Sequence, residues 1–230
     1  MSGRPYTHLH ACPRGPRDSA SWYLEADPIE QVDGALVEFV ARHAGREVLD
    51  LGCGIGGYIR ALRERGLACR GADVVPEYVE RARELGVDAD LLDGDRLPYD
   101  DDSFDTVIAL EVLEHVEDPA ALLSEARRVT RGGVLVSVPN CTQEFAGVPV
   151  EFSHMLDVDH RHWFTAASLE ELLGSVFGSA DVVQSAPVDR LLAGLVLPRP
   201  LRPIDRLLRR TGLVRPRFYS RLLGRAPVHG

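Results

Sequence analysis

The stretch Val48-Leu-Asp-Leu-Gly-Cys-Gly-Ile-Gly-Gly57 decides the fold of this chain. A short apolar run ends in Gly52, Gly54 and Gly56, and a helical pattern begins directly afterwards at Tyr58. Glycine allows the backbone to turn sharply and lets a ligand approach without a Cβ in the way. The helix behind the turn presents free N–H groups at its N-terminus. By itself, this pattern fits either a nucleotide-type site or merely a tight strand-to-helix turn.

Strand and helix patterns alternate on both sides of this turn. Strands are predicted over 47–51, 69–75, 87–92, 104–110, 134–138 and 181–184, and helices over 28–43, 58–64, 76–85, 119–130 and 168–173. Asp27 is the expected N-cap of the first helix, before Pro28, and Ser168 is the expected N-cap of the last. The alternation predicts an α/β fold, a Rossmann-like, doubly wound and mostly parallel sheet with helices on both faces.

Composition and charge exclude several classes of protein. The 230 residues include 26 arginines, no lysine and 35 acids, for a net charge of −9. Hydrophobic residues make up 45% and charged residues 27%, which excludes wholesale disorder. Residues 185–230 hold ten arginines and two acids, or +8, so residues 1–184 carry −17. Because an acidic body repels a phosphate backbone, nucleic acid is not an expected partner.

Several features of the sequence indicate the cellular compartment of the protein. The longest aliphatic run near the C-terminus, Leu191–Leu197, has seven residues, against the ~20 that span a bilayer. The polar N-terminus has no apolar core of a signal peptide, so we expect neither a signal peptide nor a transmembrane segment. The four cysteines lack metal-site spacing and are too few for a disulfide framework, which favours the reducing cytoplasm. They are Cys12, Cys53, Cys69 and Cys141.

Three regions are predicted along the chain. Residues 1–20 are rich in proline and glycine and are expected to form a flexible arm. Residues 21–186 form the α/β core. Residues 187–230 form a basic segment in which prolines interrupt an apolar stripe flanked by arginines. This segment is interpreted as a substrate lid, with the last strand over 217–224, and the alternative is a surface element that contacts anionic lipid. No oligomeric state is predicted.

Two aspartates follow predicted strands. Asp73 ends the second strand, 17 residues after Gly56, where a carboxylate of a doubly wound sheet reaches a ribose diol. The alternative for Asp73 is a helix cap before Pro76. Asp95 follows the third strand, where its carboxylate can accept a hydrogen bond from an exocyclic amine while Leu97 flanks an adenine. The alternative for Asp95 is a solvated acidic turn.

The chain resembles the class I S-adenosylmethionine-dependent methyltransferases in four runs that occur in the family's order. These are VLDLGCGIGG, GADVVPEYVERAR, DGDRLPYDDDSFDTVIALEVLEHVEDP and GGVLVSVPN. The resemblance covers roughly residues 30–175. It implies a seven-stranded sheet with S-adenosylmethionine lying across the carboxyl ends of the strands. The third glycine comes two residues after the second rather than three, which departs from the dinucleotide fingerprint and favours this cofactor over NAD.

The resemblance also implies a set of cofactor-binding residues. The methionine moiety would lie against Gly52, Gly54 and Gly56, with Asp50 beside them. The ribose would be held by Asp73 and its neighbour Val74, and the adenine by Asp95 and the backbone of Arg96. The sulfonium side would be lined by Leu110 and Glu111. The implied activity is methyl transfer to a small-molecule acceptor at a hydroxyl oxygen, as in a secondary metabolite, a quinone-like phenol or a sugar.

Histidines supply candidates for a general base. The run from His154 to Thr165 follows the fifth strand and therefore lies on the ligand side of the sheet. Histidine titrates near neutral pH, and acids lie close by in this run. His160 is the first candidate for the base, with His154 and Asp157 behind it, and His115 is a second catalytic candidate. The alternative is a solvated polar loop before the last helix.

Glu111, Glu114 and His115 form a second cluster. Their spacing places all three on one face of a helical turn, where they could hold a divalent cation together with the Asp159-His160 pair. The pattern is similar to that of ubiquinone-biosynthesis O-methyltransferases and small-RNA 2′-O-methyltransferases. Because similar strings occur in family members without a metal, no metal site is predicted. Two rival functions stay open, a metal-dependent RNA 2′-O-methyltransferase and a non-catalytic, cofactor-binding partner protein.

Overall fold

The computed structural model describes residues 32–94, 96–141, 143–145, 148–150, 160–187 and 219–228, together with Leu24. The predicted arm over 1–20 lies outside the described residues. So do Asp27, Asp95, the histidine-rich stretch 154–159 and residues 188–218 of the basic segment.

The described chain forms five helices and nine strands, which alternate from the first of these helices to the third strand. The helices are α1 (Gly34–His43), α2 (Gly57–Arg63), α3 (Pro76–Glu84), α4 (Pro119–Val129) and α5 (Ala166–Phe177). The strands are β1 (Glu47–Leu51), β2 (Ala68–Asp73), β3 (Ala89–Leu91), β4 (Thr106–Leu110), β5 (Gly133–Pro139), β6 (Gln143–Phe145), β7 (Val148–Val150), β8 (Asp181–Pro187) and β9 (Tyr219–Pro227). The short hairpin of β6 and β7 was not predicted from the sequence.

Seven strands form one sheet in the order β3-β2-β1-β4-β5-β9-β8. The first five run parallel, and β9 pairs antiparallel with both β5 and β8. The predicted α/β, doubly wound and mostly parallel sheet of seven strands is confirmed. The chain changes its direction of winding between β1 and β4, and ligands of such sheets bind outside the carboxyl ends of the strands at this point.

Both faces of the sheet are covered by helices. Successive residues of β1 show this directly, since Val48 packs in one apolar cluster and Leu49 in another, and both are fully buried. The cluster of Leu49 includes residues of α4 and α5, whereas the cluster of Val48 includes residues of α1, α2 and α3. Burial on both faces explains why the parallel strands read as continuous apolar runs.

The first helix begins later than the sequence predicts. Asp33 is the N-cap of α1, and its Oδ1 accepts a hydrogen bond of 2.8 Å from Ala35 N. Because the two residues before Gly34 are not helical, the predicted continuous helix from Pro28 was wrong. An aspartate that caps one helix start stops the helix from extending backwards through it.

The last helix begins earlier than predicted. Thr165, not Ser168, is the N-cap of α5, and its side chain accepts a hydrogen bond from Ser168 N. Ser168 Oγ in turn accepts a hydrogen bond from Thr165 N, which completes a capping box. The sequence therefore identified the partner of the cap rather than the cap itself.

The basic C-terminal segment supplies a strand inside the sheet. Strand β9 lies between β5 and β8, close to the bounds predicted for the last strand. None of the described helices has the length and apolar character needed to cross a bilayer. The substrate lid stays a prediction, with contact to an anionic lipid surface as its alternative, and the cytoplasmic location also stays a prediction.

Candidate active site

The glycine turn after β1 adopts backbone conformations that side chains disfavour. Gly52, Gly54 and Gly56 have φ angles of 72°, 54° and 84°. A Cβ on Gly56 would lie 2.6 Å from Val87 Cγ2, so this position has no room for a side chain. The turn is fixed to β2, because Gly52 N donates a hydrogen bond of 2.8 Å to Ala72 O. The backbone of the turn is thereby held at the carboxyl end of the sheet.

Asp73 anchors the glycine turn from the end of β2. Its side chain is buried, with 2% exposed, and Oδ2 accepts a hydrogen bond of 2.8 Å from Gly54 N. Oδ1 accepts a hydrogen bond of 3.0 Å from Val75 N, the N-cap residue of α3. A carboxylate has about four lone-pair sites. Asp73 therefore fixes both the glycine turn and the start of α3 at the carboxyl end of β2.

A cavity of about 610 Å³ lies outside the carboxyl ends of β1 to β4. This volume lies in the range of small-molecule sites, roughly 300–1,000 Å³. It is lined by Leu51, Gly52, Asp73, Val74, Leu92, Gly94, Leu97, Val112, His115, Val116, Glu117, Asp118, Ala121 and Leu122. The predicted residues Gly52, Asp73 and Val74 thus share one cavity with the predicted adenine neighbour Leu97.

Other predicted cofactor residues do not line this cavity. Asp50 and Leu110 are buried in the sheet behind it, and Arg96 is exposed. Gly54, Gly56 and Glu111 are not among the lining residues either. The lining residues that the sequence did not predict are Leu51 at the end of β1 and residues that follow β3 and β4 or belong to the first turns of α4. Position alone could have found them, because side chains that follow the strands face the ligand edge of such a sheet.

His115 and His160 lie against each other beside the cavity. They are 5% and 8% exposed, and their ring centroids are 4.8 Å apart in an edge-to-face arrangement. The carboxylate of Glu114, which is 1% exposed, has Oε1 4.0 Å from His115 Nε2. The potential ligand atoms of these three residues all lie within 4.8 Å of one another. The structure therefore assembles a compact group of two imidazoles and a carboxylate, with His115 in the cavity wall.

Backbone hydrogen bonds hold this group together. The carbonyl oxygen of Glu114 accepts hydrogen bonds from Arg161 N at 2.7 Å and from His162 N at 3.2 Å. His162 Nε2 lies 3.0 Å from Val116 O, within hydrogen-bond distance. The segment that carries His160 is thus fastened to the turn after β4. His154, Asp157 and Asp159, the other candidates of this run, lie outside the described residues.

Glu111 does not share a face with Glu114 and His115. Residues 111–118 form turns rather than a helix, and Glu111 has a left-handed φ of 56°. Its Oε1 accepts hydrogen bonds from Ser137 Oγ at 2.7 Å and from Arg221 Nε at 3.0 Å. The prediction of a common helical face for the three residues was wrong, because these partners turn Glu111 away from the group.

Comparison with known proteins agrees with this architecture. A family model described as a methyltransferase domain matches residues 49–138, from β1 to β5. A solved S-adenosylmethionine-dependent methyltransferase from Archaeoglobus fulgidus has the same fold, with a TM-score of 0.63 over 90% of this chain and 99% of its own, at 17% identity. The chain is therefore similar to S-adenosylmethionine-dependent methyltransferases in sequence over residues 49–138 and in overall fold.

Two relatives show the range of the family. Norajmaline N-methyltransferase from Rauvolfia serpentina is 32% identical over 102 residues, which cover 40% of this chain and 35% of the relative. Ubiquinone biosynthesis O-methyltransferase from Xylella fastidiosa (strain M23) is 29% identical over 127 residues, which cover 50% of this chain and 52% of the relative. The chain therefore spans between about a third and a half of the length of these relatives.

Asp50 is buried behind the cavity, and its charge bears on whether this region suits a cationic cofactor such as S-adenosylmethionine. The carboxylate is 2% exposed, and its Oδ2 has no hydrogen-bond partner among the described residues. Burial raises the pKa of Asp50 well above its usual range, and the negative charge of Asp73 raises it further. A buried carboxylate without a cation is costly. A cofactor with a sulfonium and an ammonium group would offset the negative charges of Asp50 and Asp73.

Replacing Asp50 by asparagine tests this fit through stability and pH. The raised pKa means that the folded protein holds the Asp50 proton to higher pH than the unfolded chain does, so the stability of the fold falls as pH rises above about 4. In the variant D50N the side chain at position 50 does not ionise, so this pH dependence is removed. We expect the ligand-free variant to melt at a higher temperature than the unaltered protein, by about 2–4 °C per kcal/mol gained, with a difference that is larger at pH 8 than at pH 5.

Thermal melts at both pH values measure this difference, and calorimetric titration adds a second readout. D50N should lose more affinity for S-adenosylmethionine than for S-adenosylhomocysteine, because only the former carries the sulfonium charge. A melting difference that does not change with pH, or equal losses for both ligands, would contradict the role of the Asp50 charge.

Proposed function

We propose that this methyltransferase transfers the methyl group of S-adenosylmethionine to a hydroxyl oxygen of a small-molecule acceptor, such as a secondary metabolite, a quinone-like phenol or a sugar. The observation that carries the proposal is the group of Glu114, His115 and His160 at the wall of the cofactor cavity. A hydroxyl acceptor must lose a proton during the transfer, and this group supplies a place for it. An amine acceptor with a free lone pair needs no such group before attack.

The chain contributes mainly alignment and proton transfer. When bound, S-adenosylmethionine supplies a methyl carbon that its sulfonium already makes electrophilic. Alignment of two reactants in one site can supply ~7–11 kcal/mol of the barrier. Asp73 and Gly52 hold the cofactor at the ends of β1 and β2, and the side chains after β4 form the facing wall of the cavity.

His115 is the proposed general base. It lines the cavity, whereas His160, the first candidate from the sequence, lies behind it and does not line it. The imidazole of His115 takes the proton of the acceptor hydroxyl, and the adjacent Glu114 carboxylate stabilises the imidazolium that forms. His160 packs against the His115 ring and keeps it in place. General-base catalysis of this kind contributes about 10²–10⁴-fold in rate.

A panel of acceptors tests the proposal. Phenols, sugars, alcohols, amines and an RNA oligonucleotide are incubated with the protein and S-adenosylmethionine, and products are read by the mass gain of one methylene. We expect methylation of a hydroxyl compound. Methylation of amines alone would contradict the oxygen acceptor, and methylation of the RNA alone would favour the RNA 2′-O-methyltransferase. Cofactor binding without transfer to any member of the panel would favour a non-catalytic partner protein.

Metal-assisted transfer is the second candidate, and the same side chains favour it. Two imidazoles and a carboxylate are ligands that suit divalent transition metals. If Glu114, His115 and His160 held such a cation, it would polarise the acceptor hydroxyl as a Lewis acid.

A chelator separates the two candidates. Because we propose that His115 acts as a base, we expect treatment with EDTA to leave kcat unchanged and the purified protein to hold no stoichiometric metal by elemental analysis. A loss of activity that Mg²⁺ or Mn²⁺ restores, together with about one bound metal per chain, would replace the base by a metal. Dialysis against the same buffer without chelator is the control.

A further inference from the structure

Arg221 lies on β9, opposite Pro139 of β5, and its side chain is only 15% exposed. Its guanidinium pairs with two carboxylates from distant parts of the chain. Nε donates a hydrogen bond of 3.0 Å to Glu111 Oε1, and Nη1 donates one to Asp33 Oδ2. A strand from the end of the sequence is thus tied both to the end of β4 and to the start of α1.

The first partner of Arg221 holds an unfavourable backbone conformation. Glu111 has a φ of 56°, and a residue other than glycine in this region costs about 1–3 kcal/mol unless its surroundings fix it. Those surroundings are Arg221 and Ser137, since Glu111 N also donates a hydrogen bond of 2.9 Å to Ser137 O. The next residue, Val112, lines the cavity. The conformation of Glu111 therefore determines how the chain enters the cavity wall.

The second partner of Arg221 leads to the glycine turn. Asp33 caps α1, and its backbone N–H lies 3.4 Å from the hydroxyl oxygen of Tyr58. Tyr58 is the second residue of α2, the helix that begins directly after the turn. Through Asp33 on one side and Glu111 on the other, Arg221 connects the two backbone segments that follow β1 and β4.

The order of the strands shows which part of the cofactor lies near these segments. Asp73 ends β2, Val74 follows it, and Leu92 and Leu97 follow β3, so the residues proposed to hold the ribose and the adenine lie on the β2–β3 side of the cavity. Strands β1 and β4 lie on the other side of β2. The methionyl part of the cofactor therefore extends over β1 and β4, towards the segments that Arg221 connects.

We propose that Arg221 is a positioning residue for the methionyl part of S-adenosylmethionine. By binding Glu111 and Asp33 together, it holds the turn after β4 and the start of α1 in the arrangement that accepts this part of the cofactor. The inference rests on the proposed function, since it concerns the same cofactor site, but its test needs no methyl acceptor.

Two ligands and three variants test the proposal. S-adenosylhomocysteine contains the amino-acid part of the cofactor, whereas 5′-methylthioadenosine lacks it and keeps the adenosine and the sulfur. We expect R221M to bind S-adenosylhomocysteine about tenfold or more weakly, the scale of a lost charged hydrogen bond, and to bind 5′-methylthioadenosine within about twofold of the unaltered protein. R221K should restore only part of the affinity, because lysine keeps the charge but lacks the two-pronged guanidinium.

Arg225→Met is the matched control. Arg225 lies on the same strand and pairs with Asp181, but both side chains are exposed. We expect R225M to bind both ligands as the unaltered protein does. If R221M does not fold, D33N takes its place, because it weakens one of the two ion pairs and leaves the arginine in position. We expect D33N to lose affinity for S-adenosylhomocysteine more than for 5′-methylthioadenosine, by a smaller factor than R221M.

The opposite results overturn the proposal. If R221M bound S-adenosylhomocysteine with unchanged affinity, Arg221 would have no positioning role. If R221M lost affinity equally for both ligands, the role of Arg221 would be a general structural one. If the unaltered protein bound neither ligand, the cofactor assignment would fail and this inference with it. If the unaltered protein bound both ligands and R221M bound them equally well, the inference about Arg221 would be refuted and the cofactor assignment would stand.

Discussion

His115→Ala is expected to lower kcat by about 10²–10⁴-fold, the usual contribution of a positioned general base. The side chain lines the cofactor cavity and has the Glu114 carboxylate and the His160 ring beside it. Because other residues are proposed to hold the adenosyl part of the cofactor, the dissociation constant of S-adenosylhomocysteine should change by no more than a few-fold. Steady-state kinetics with the acceptor found by the panel, and calorimetric titration with S-adenosylhomocysteine, measure the two quantities.

Two further variants sharpen this result. His160→Ala should lower kcat less than H115A does, because His160 packs against the base and does not line the cavity. His43→Ala is the control, since His43 is exposed on α1, away from the cavity. A value of kcat near that of the unaltered protein in H115A would remove His115 as the base. If kcat fell further in H160A than in H115A, His160 would be the general base instead of His115.

Asp73→Ala is expected to weaken the binding of S-adenosylmethionine by roughly 1–3 kcal/mol, or about 5- to 150-fold. The substitution removes the carboxylate proposed to accept the ribose hydroxyls. It also leaves the buried N–H groups of Gly54 and Val75 without their acceptors. Both losses act on the ligand side of β2, so the glycine turn loosens in the same variant. Calorimetric titration of the folded protein gives the change in affinity, and thermal melting gives the change in stability.

Control variants separate the proposed contact of Asp73 with the ribose from its effect on the glycine turn. Asp73→Asn keeps one acceptor oxygen and the shape of the side chain, and should lose less stability than D73A while still binding weakly. Asp88→Asn is the matched surface control, because Asp88 is exposed before β3 and does not line the cavity. Since 5′-methylthioadenosine retains the ribose, D73A should lose affinity for it as well. Unchanged affinity for both ligands in D73A would refute the ribose role.

The order and type of most elements could be predicted because local rules govern them. The turn at Gly52 to Gly56 requires glycine for the backbone and follows an apolar strand, and both features are visible in ten residues of sequence. The starts of helices were less accurate. Asp27 and Asp33 both have the side chain of an N-cap, and only the packed start of α1 shows that Asp33 has this role.

Part of the cavity could be predicted for a topological reason. Asp73 ends a parallel strand next to the glycine turn, and the winding of the sheet brings these two positions together. Glu111 could not be placed in this way. Its left-handed conformation is fixed by Ser137 and Arg221, which lie 26 and 110 residues away in the sequence. Spacing within the local motif therefore predicted the wrong neighbours for its side chain.

The sequence alone determined the doubly wound sheet, the similarity to methyltransferases and the glycine turn after β1, because each depends on backbone preferences and residue order within a few turns of chain. Only the tertiary structure decided that His115, rather than His160, faces the cavity, and that Arg221 joins the start of α1 to the end of β4. These contacts join residues far apart in the chain. Their geometry depends on how the strands and turns pack, which no local pattern specifies.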